Sequence, residues 1–184
     1  INKTHWVGLS IGGMLGYGMA QYHGNRLLSL TACDSRPDAP PDYAAYFQYR
    51  IDTAREKGME GVVEPTVERW FTPETVAANP PSLDKVRNML RATNPVGHEG
   101  CCEALKRLAF GSGLGKITVP TLIIGGAQDK GAPPEILAEA GSLLLINTAL
   151  LLHTTTIPSQ QALTLSYAWE FELDGFDRLG CPIS

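Results

Sequence analysis

The tightest constraint on this chain lies within its first fifteen residues, where His5-Trp6-Val7-Gly8-Leu9-Ser10-Ile11-Gly12 runs straight into Gly13-Met14-Leu15. Residues 5 to 9 are apolar and β-leaning and read as a buried strand. Met14, Leu15, Tyr17, Gly18 and Tyr22 then follow in a compact pattern that fits a helix packed at close range. A serine with glycine two residues away on either side, set at a strand-to-helix turn, is the layout of a nucleophile elbow. The turn is sharp enough that glycine is expected at both flanking positions, and it lifts the hydroxyl above the end of the sheet. A serine that merely caps the helix is the competing reading. It does not by itself require both glycines.

The rest of the chain supplies the architecture. Arg26 to Ala32 is a second apolar β run, ending at Cys33-Asp34, and strand, helix, strand with short links is the pattern of a parallel α/β sheet. The texture then changes. Asp34-Ser35-Arg36-Pro37-Asp38-Ala39-Pro40-Pro41 is a proline-rich exit, and from Tyr43 to Phe110 only helical patterns follow. The spacing predicts helices over Tyr43 to Lys57, Thr66 to Phe71, Leu83 to Ala92 and Glu99 to Leu108. Gly58, Pro73, Pro80-Pro81 and Pro95 with Gly97 separate them. Such an insert between two strands is expected to form a lid over a pocket. Strand character resumes at Val119 to Gly125, a nearly continuous apolar run of the kind covered on both faces. A helix is predicted from Pro133-Pro134, a last strand over residues 142 to 147, and a terminal amphipathic helix over Gln160 to Phe171. The division expected is a core of residues 1–35 and 111–184 around a helical lid of residues 36–110.

Ser10, Asp129 after the strand that ends in Gly125-Gly126, and His153 after the next strand stand in the chain order Ser, Asp, His. α/β-hydrolases use that order. The residue types follow from the chemistry. A serine hydroxyl is a weak nucleophile until an imidazole takes its proton, and a carboxylate must hold that imidazole in one tautomer. The backbone N–H of Ile11 is placed to donate to a developing oxyanion. Asp34, at the end of the second strand, is the reserve for the acid. His5 and His23 read as structural, the latter as a cation closing a helix.

Residues 1 to about 140 resemble the 3-oxoadipate enol-lactonase group of α/β-hydrolases. The likeness is carried by the stretch from His5 to Ser35, by "VEPTVERWFTPE", by "NPVGHEGCCEAL" and by "ITVPTLIIGGAQDKGAPPE". The resemblance implies an α/β fold, a truncated parallel sheet with a helical lid inserted between strands. It also implies a serine acyl-enzyme that needs no cofactor and a small ester or lactone substrate, most favourably the enol-lactone of 3-oxoadipate. Ser10, Asp129 and His153 would be nucleophile, acid and base, and Arg69, Trp70 and His98 in the lid would meet the substrate. A broader carboxylesterase is the alternative within enzymes. A non-catalytic hydrolase-like protein is the alternative outside them, because the family's strands before the elbow, and the loop with its second oxyanion donor, are not encoded here. The same gap leaves Trp6 to Leu9 as an unpaired sheet edge, from which a homo-oligomer is expected.

Bulk properties narrow the partners. Net charge is −4, from 15 Lys and Arg against 19 Asp and Glu, with no basic block, so nucleic acid is not an expected partner. The longest apolar runs are too short to cross a bilayer, and no charged region precedes an apolar segment at the N-terminus, so neither a membrane nor a secretory signal is expected. Cys33, Cys101, Cys102 and Cys181 form no C-x-x-C pair and have no histidine at ligand spacing. Adjacent Cys101 and Cys102 read as small packing residues instead of a disulfide, and a reduced, cytoplasmic setting without a metal site is expected.

Overall fold

The computed structural model describes residues 1–144 and 148–153. Four parallel strands, β1 (Thr4–Leu9), β2 (Leu27–Cys33), β3 (Thr121–Gly126) and β4 (Thr148–His153), form one sheet in the order β1-β2-β3-β4. Helix α1 (Ile11–His23) links β1 to β2, and α7 (Pro134–Leu143) links β3 to β4. Because the order advances in one direction, crossovers of one hand set both helices on one face of the sheet. Their shared core joins Tyr17 and Ala20 of α1 to Leu137 and Ala140 of α7 through Leu30, Ala32 and Ile123. Alternation along β1 sends Gly8 inward, with Trp6 half-buried, while Val7 and Leu9 stay 72% and 66% exposed.

Five helices lie between β2 and β3: α2 (Pro41–Lys57), α3 (Val63–Trp70), α4 (Pro73–Ala78), α5 (Pro81–Ala92) and α6 (Pro95–Lys106). All but α3 start on a proline, whose missing N–H costs nothing in a first turn. Val63, Val67, Leu83 and Leu90 give this insert a core of its own. Its neck is tied by a single antiparallel bridge between Asp38 and Ala109, and Asp38 Oδ1 accepts from Gly111 N at 2.8 Å. A further cluster of Met14, Tyr43 and Leu105, with Ile11 and Phe47, seats the insert on the start of α1. The insert is therefore packed against the end of the sheet where Ser10 lies.

Two elements differ from the sequence expectation. Ser142 and Leu143, expected to open the last strand, do not belong to it. Ser142 and Leu143 complete α7, because Leu137, Ala140 and Leu144 continue one buried helical stripe. The strand comes six residues later and ends at His153 instead of preceding it. Helix α4 was not anticipated, its six residues being too few for a visible period. Cys181 and the helix expected over Gln160 to Phe171 lie outside the described residues. Among the described residues, no helix is long and apolar enough to cross a membrane.

Candidate active site

Ser10 stands between β1 and α1 with φ 52° and ψ −121°, a backbone conformation that costs an L-residue on the order of 1–3 kcal/mol and persists only when its surroundings hold it. Those surroundings are specific. Its N–H donates to Cys33 O at 2.9 Å, and its carbonyl accepts from Gly13 N and Met14 N at 3.0 Å each. Buried Ser35 places its hydroxyl 2.8 Å from Ser10 O and 2.6 Å from Cys33 O, and Tyr17 Oη donates to Ser35 O at 3.1 Å. Trp6 Nε1 donates to Gly12 O at 2.9 Å, which clamps the first turn of α1 onto the strand before it. The Ser10 side chain makes no capping bond and lies exposed. A helix-capping serine would do the opposite. Ile11 N–H, first in α1, has no carbonyl one turn behind it and is free to donate.

The elbow glycines are not equivalent. A Cβ on Gly8 would collide with the Gly12 carbonyl and Gly13 N, and one on Gly13 with the Ser35 hydroxyl; Gly12 faces open space. Close approach thus requires glycine at Gly8 and Gly13, where the sequence suggested Gly8 and Gly12. Ser35 and Tyr17, which seat the turn, were not singled out from the sequence. The Asp-Ser pair at a strand end signals turn chemistry, but not what the serine touches.

The carboxylates gather at the ends of β2 and β3. Asp129 sits in the turn after β3, where its N–H donates to Gly126 O at 3.1 Å and its Oδ1 accepts from Gly131 N at 2.6 Å. Asp34 follows β2 with φ 47°, and its Oδ1 accepts from Gly126 N at 2.8 Å. Burial raises the Asp34 carboxyl above its ordinary range, the Gly126 amide opposes this, and the charge and side chain of Asp129 raise it again. Register places His153 opposite Gly126. At roughly 4.8 Å per strand, its backbone is three spacings, about 14 Å, from the β1 end that carries Ser10. The backbone therefore groups His153 with Asp129 more closely than with Ser10.

The insert contributes cations stacked on aromatic rings. The Arg69 guanidinium lies 4.1 Å from the Tyr46 ring centroid and Arg36 lies 4.5 Å from that of Tyr43. Arg36 Nη1 donates to Gly131 O at 3.3 Å, and Arg69 Nη2 approaches Lys130 O at 3.5 Å, so both reach the turn that carries Asp129. Among the described residues neither arginine makes a salt bridge. Trp70 is 56% exposed; its neighbour Phe71 is the one packed on the insert core. His98, in the first turn of α6, is buried with Nε2 3.6 Å from Cys102 Sγ. Burial and then Arg50 lower its pKa, the surroundings of a packed residue inside the insert. His5 Nδ1 lies 2.8 Å from Ser29 Oγ, and His23 closes the last turn of α1. Among the described residues, no cluster of three His, Cys, Asp or Glu side chains could hold a metal.

A serine in a strained strand-to-helix turn, with acids at the ends of the next two parallel strands, is an arrangement that recurs in known proteins. The model of the alpha/beta hydrolase fold family matches residues 1–154. The chain belongs to that family. It is 30% identical over 129 residues to 3-oxoadipate enol-lactonase 2 of Acinetobacter baylyi, covering 70% of this chain and 48% of the relative. The solved enol-lactonase of Burkholderia xenovorans superposes with a TM-score of 0.77 at 25% identity, over 83% of this chain and 58% of that one. A hydrolase of Pseudomonas aeruginosa gives 0.78 at 25% identity, over 83% and 57%. The chain spans about half the length of the curated relatives it matches.

Proposed function

We propose that this chain carries the chemistry of a serine hydrolase acting on esters or lactones. Ser10 is the nucleophile, His153 the base, Asp129 the acid that orients the base, and Ile11 N–H an oxyanion donor. The observation that carries this reading is the Ser10 backbone, strained at φ 52° while its hydroxyl is left exposed and uncapped. In the proposed reaction Oγ attacks the substrate carbonyl carbon as the imidazole takes the hydroxyl proton. Negative charge collects on the carbonyl oxygen near Ile11 N–H, and collapse breaks the acyl C–O bond with the proton returned to the departing oxygen. Water, deprotonated by the same imidazole, then attacks the acyl carbon; the acyl C–Oγ bond breaks, the imidazole returns its proton to Ser10 Oγ, and the acid leaves. Every group used belongs to the chain, so the proposal invokes no cofactor.

The preferred substrate is a lactone that carries a free carboxylate, as the enol-lactone of 3-oxoadipate does. Two things support that choice: the enol-lactonases among the relatives, and Arg69, a ring-stacked guanidinium beside the Asp129 turn with no salt-bridge partner among the described residues. Trp70, next to Arg69 in the chain, offers exposed apolar surface, and His98 is buried within the insert.

A fluorophosphonate probe tests the core of this proposal. It is expected to give one adduct, on the peptide from Gly8 to Gly12, lost in Ser10→Ala and in His153→Ala but kept in His23→Ala. A folded sample that does not label, or that labels elsewhere, overturns the assignment of Ser10, Asp129 and His153. Hydrolysis of a neutral chromogenic ester in preference to its carboxylated analogue would favour the broader carboxylesterase.

A further inference from the structure

Asp34 occupies a peculiar position. The sheet order sets the end of β2 between the elbow strand and the strand that leads to Asp129. Two backbone bonds fix the residue there: Asp34 N–H donates to Ile124 O at 2.8 Å, and Gly126 N–H donates to Asp34 Oδ1 at 2.8 Å. The second bond draws the carboxyl across the end of β3. Asp129 is anchored from the other side by Gly131 N–H on its Oδ1. Gly126 lies between the two acids, since a Cβ there would stand 3.8 Å from both Asp34 Oδ1 and Asp129 Cβ. Each acid thus has one oxygen held by a backbone amide, and both side chains reach the space beside Gly126.

Two half-buried carboxylates in this relation cannot both ionise cheaply. The nearest guanidiniums bond carbonyls and neither carboxyl: Arg36 donates to Asp38 O and Gly131 O, Arg69 approaches Lys130 O, and each stacks on a tyrosine ring. Cys33 and Tyr43 also face the pair, and burial raises the pKa of both, so neither neutralises it. Neither acid makes a salt bridge among the described residues.

We infer that Asp34 is a positioning residue for Asp129: the two side chains share one proton, Asp34 carries it, and its hydrogen bond fixes the oxygen that Asp129 turns toward the base. The direction in which Asp34 is shifted agrees with its being the protonated partner. The positioning role rests on Asp129 being the triad acid; the shared proton does not.

The test uses the full chain and Asp34→Asn, whose amide keeps an acceptor for Gly126 N–H and offers Asp129 a permanent N–H donor. A carboxyl raised in the fold gives stability that is complete below its unfolded pKa and is lost as pH rises toward the folded value. The urea midpoint of Asp34→Asn is therefore expected to gain on the parent between pH 4 and pH 8. That gain is expected to shrink when both carry Asp129→Asn. A gain that does not grow with pH, or that survives intact with Asp129→Asn, overturns the shared proton. In the second arm Ser10 labelling is followed against pH. Asp34→Asn should label at the parental rate near pH 8, and Asp34→Ala about tenfold slower, the size of one hydrogen bond to a charged group. Equal rates for Asp34→Ala and the parent overturn the positioning role. A parent that never labels counts against the hydrolase reading, while the stability arm still decides the pair.

Discussion

A methyl group at Gly8 has nowhere to go, because the Gly12 carbonyl and Gly13 N already fill its place, yet a methyl at Gly12 meets nothing. The two glycines of one motif therefore predict opposite outcomes. Gly8→Ala must push the first turn of α1 off the strand, at a cost of about 1–3 kcal/mol for an overpacked site, and with it the φ of Ser10. Gly12→Ala replaces glycine by a better helix former and is expected to be neutral or to stabilise by up to about 1 kcal/mol. Urea unfolding of the two variants checks the difference, and equal losses would show that the turn tolerates neither. Which glycines matter was not legible from the spacing alone. The second close approach is at Gly13, and its cause, the Ser35 hydroxyl, arrives from a different strand end.

Elements were legible where they announce themselves within one turn or one strand. The prolines at Pro41, Pro81, Pro95 and Pro134 mark helix starts to within a few residues, and the apolar runs of β1, β2 and β3 mark strands. Proline before β3 also explains its late start, since Pro120 has no N–H to give and offers only its carbonyl, to Leu30 N at 2.9 Å. The last strand was misplaced because leucine serves helix and strand alike, and only Ile123 and the packing around Leu144 decide between them. Relations between elements were not legible: that Asp34 and Asp129 both reach Gly126 depends on strand order, and that His98 feels the charge of Arg50 depends on how α6 lies on α2. The His98 contact has a measurable consequence. Burial and Arg50 hold the imidazole below its ordinary 6.5. The unfolded chain therefore takes up more protons as pH falls through that value, and stability declines with it. Thermal melts at pH 7.5 and pH 5.5 should show this decline, and His98→Gln should lessen it. An unchanged slope would mean that His98 is already charged inside the insert.

At the scale of the whole molecule, β1 stands at an edge of the described sheet. β1 pairs with β2 alone among the described strands, so its outer N–H and C=O groups have no ladder. Val7 and Leu9 stand out from one side of it at 72% and 66% exposure. On the helix side two shallow grooves of about 310 and 330 Å³ follow α1, bordered by Trp6, Met19, Tyr22 and Phe110, and neither touches Ser10. An open strand edge flanked by apolar surface is a template for pairing, and native proteins cover or charge such edges. We propose that in solution a second copy of this chain covers it, edge against edge, leaving Ser10 free at the end of the strand. Light scattering at low micromolar concentration should then give at least twice 19.9 kDa. Val7→Lys should shift the distribution toward monomer, because a lysine in that row charges the edge without touching the α1 core. A monomer in which the amides of Val7 and Leu9 nevertheless exchange slowly with solvent would place the cover within the chain itself and remove the case for a dimer.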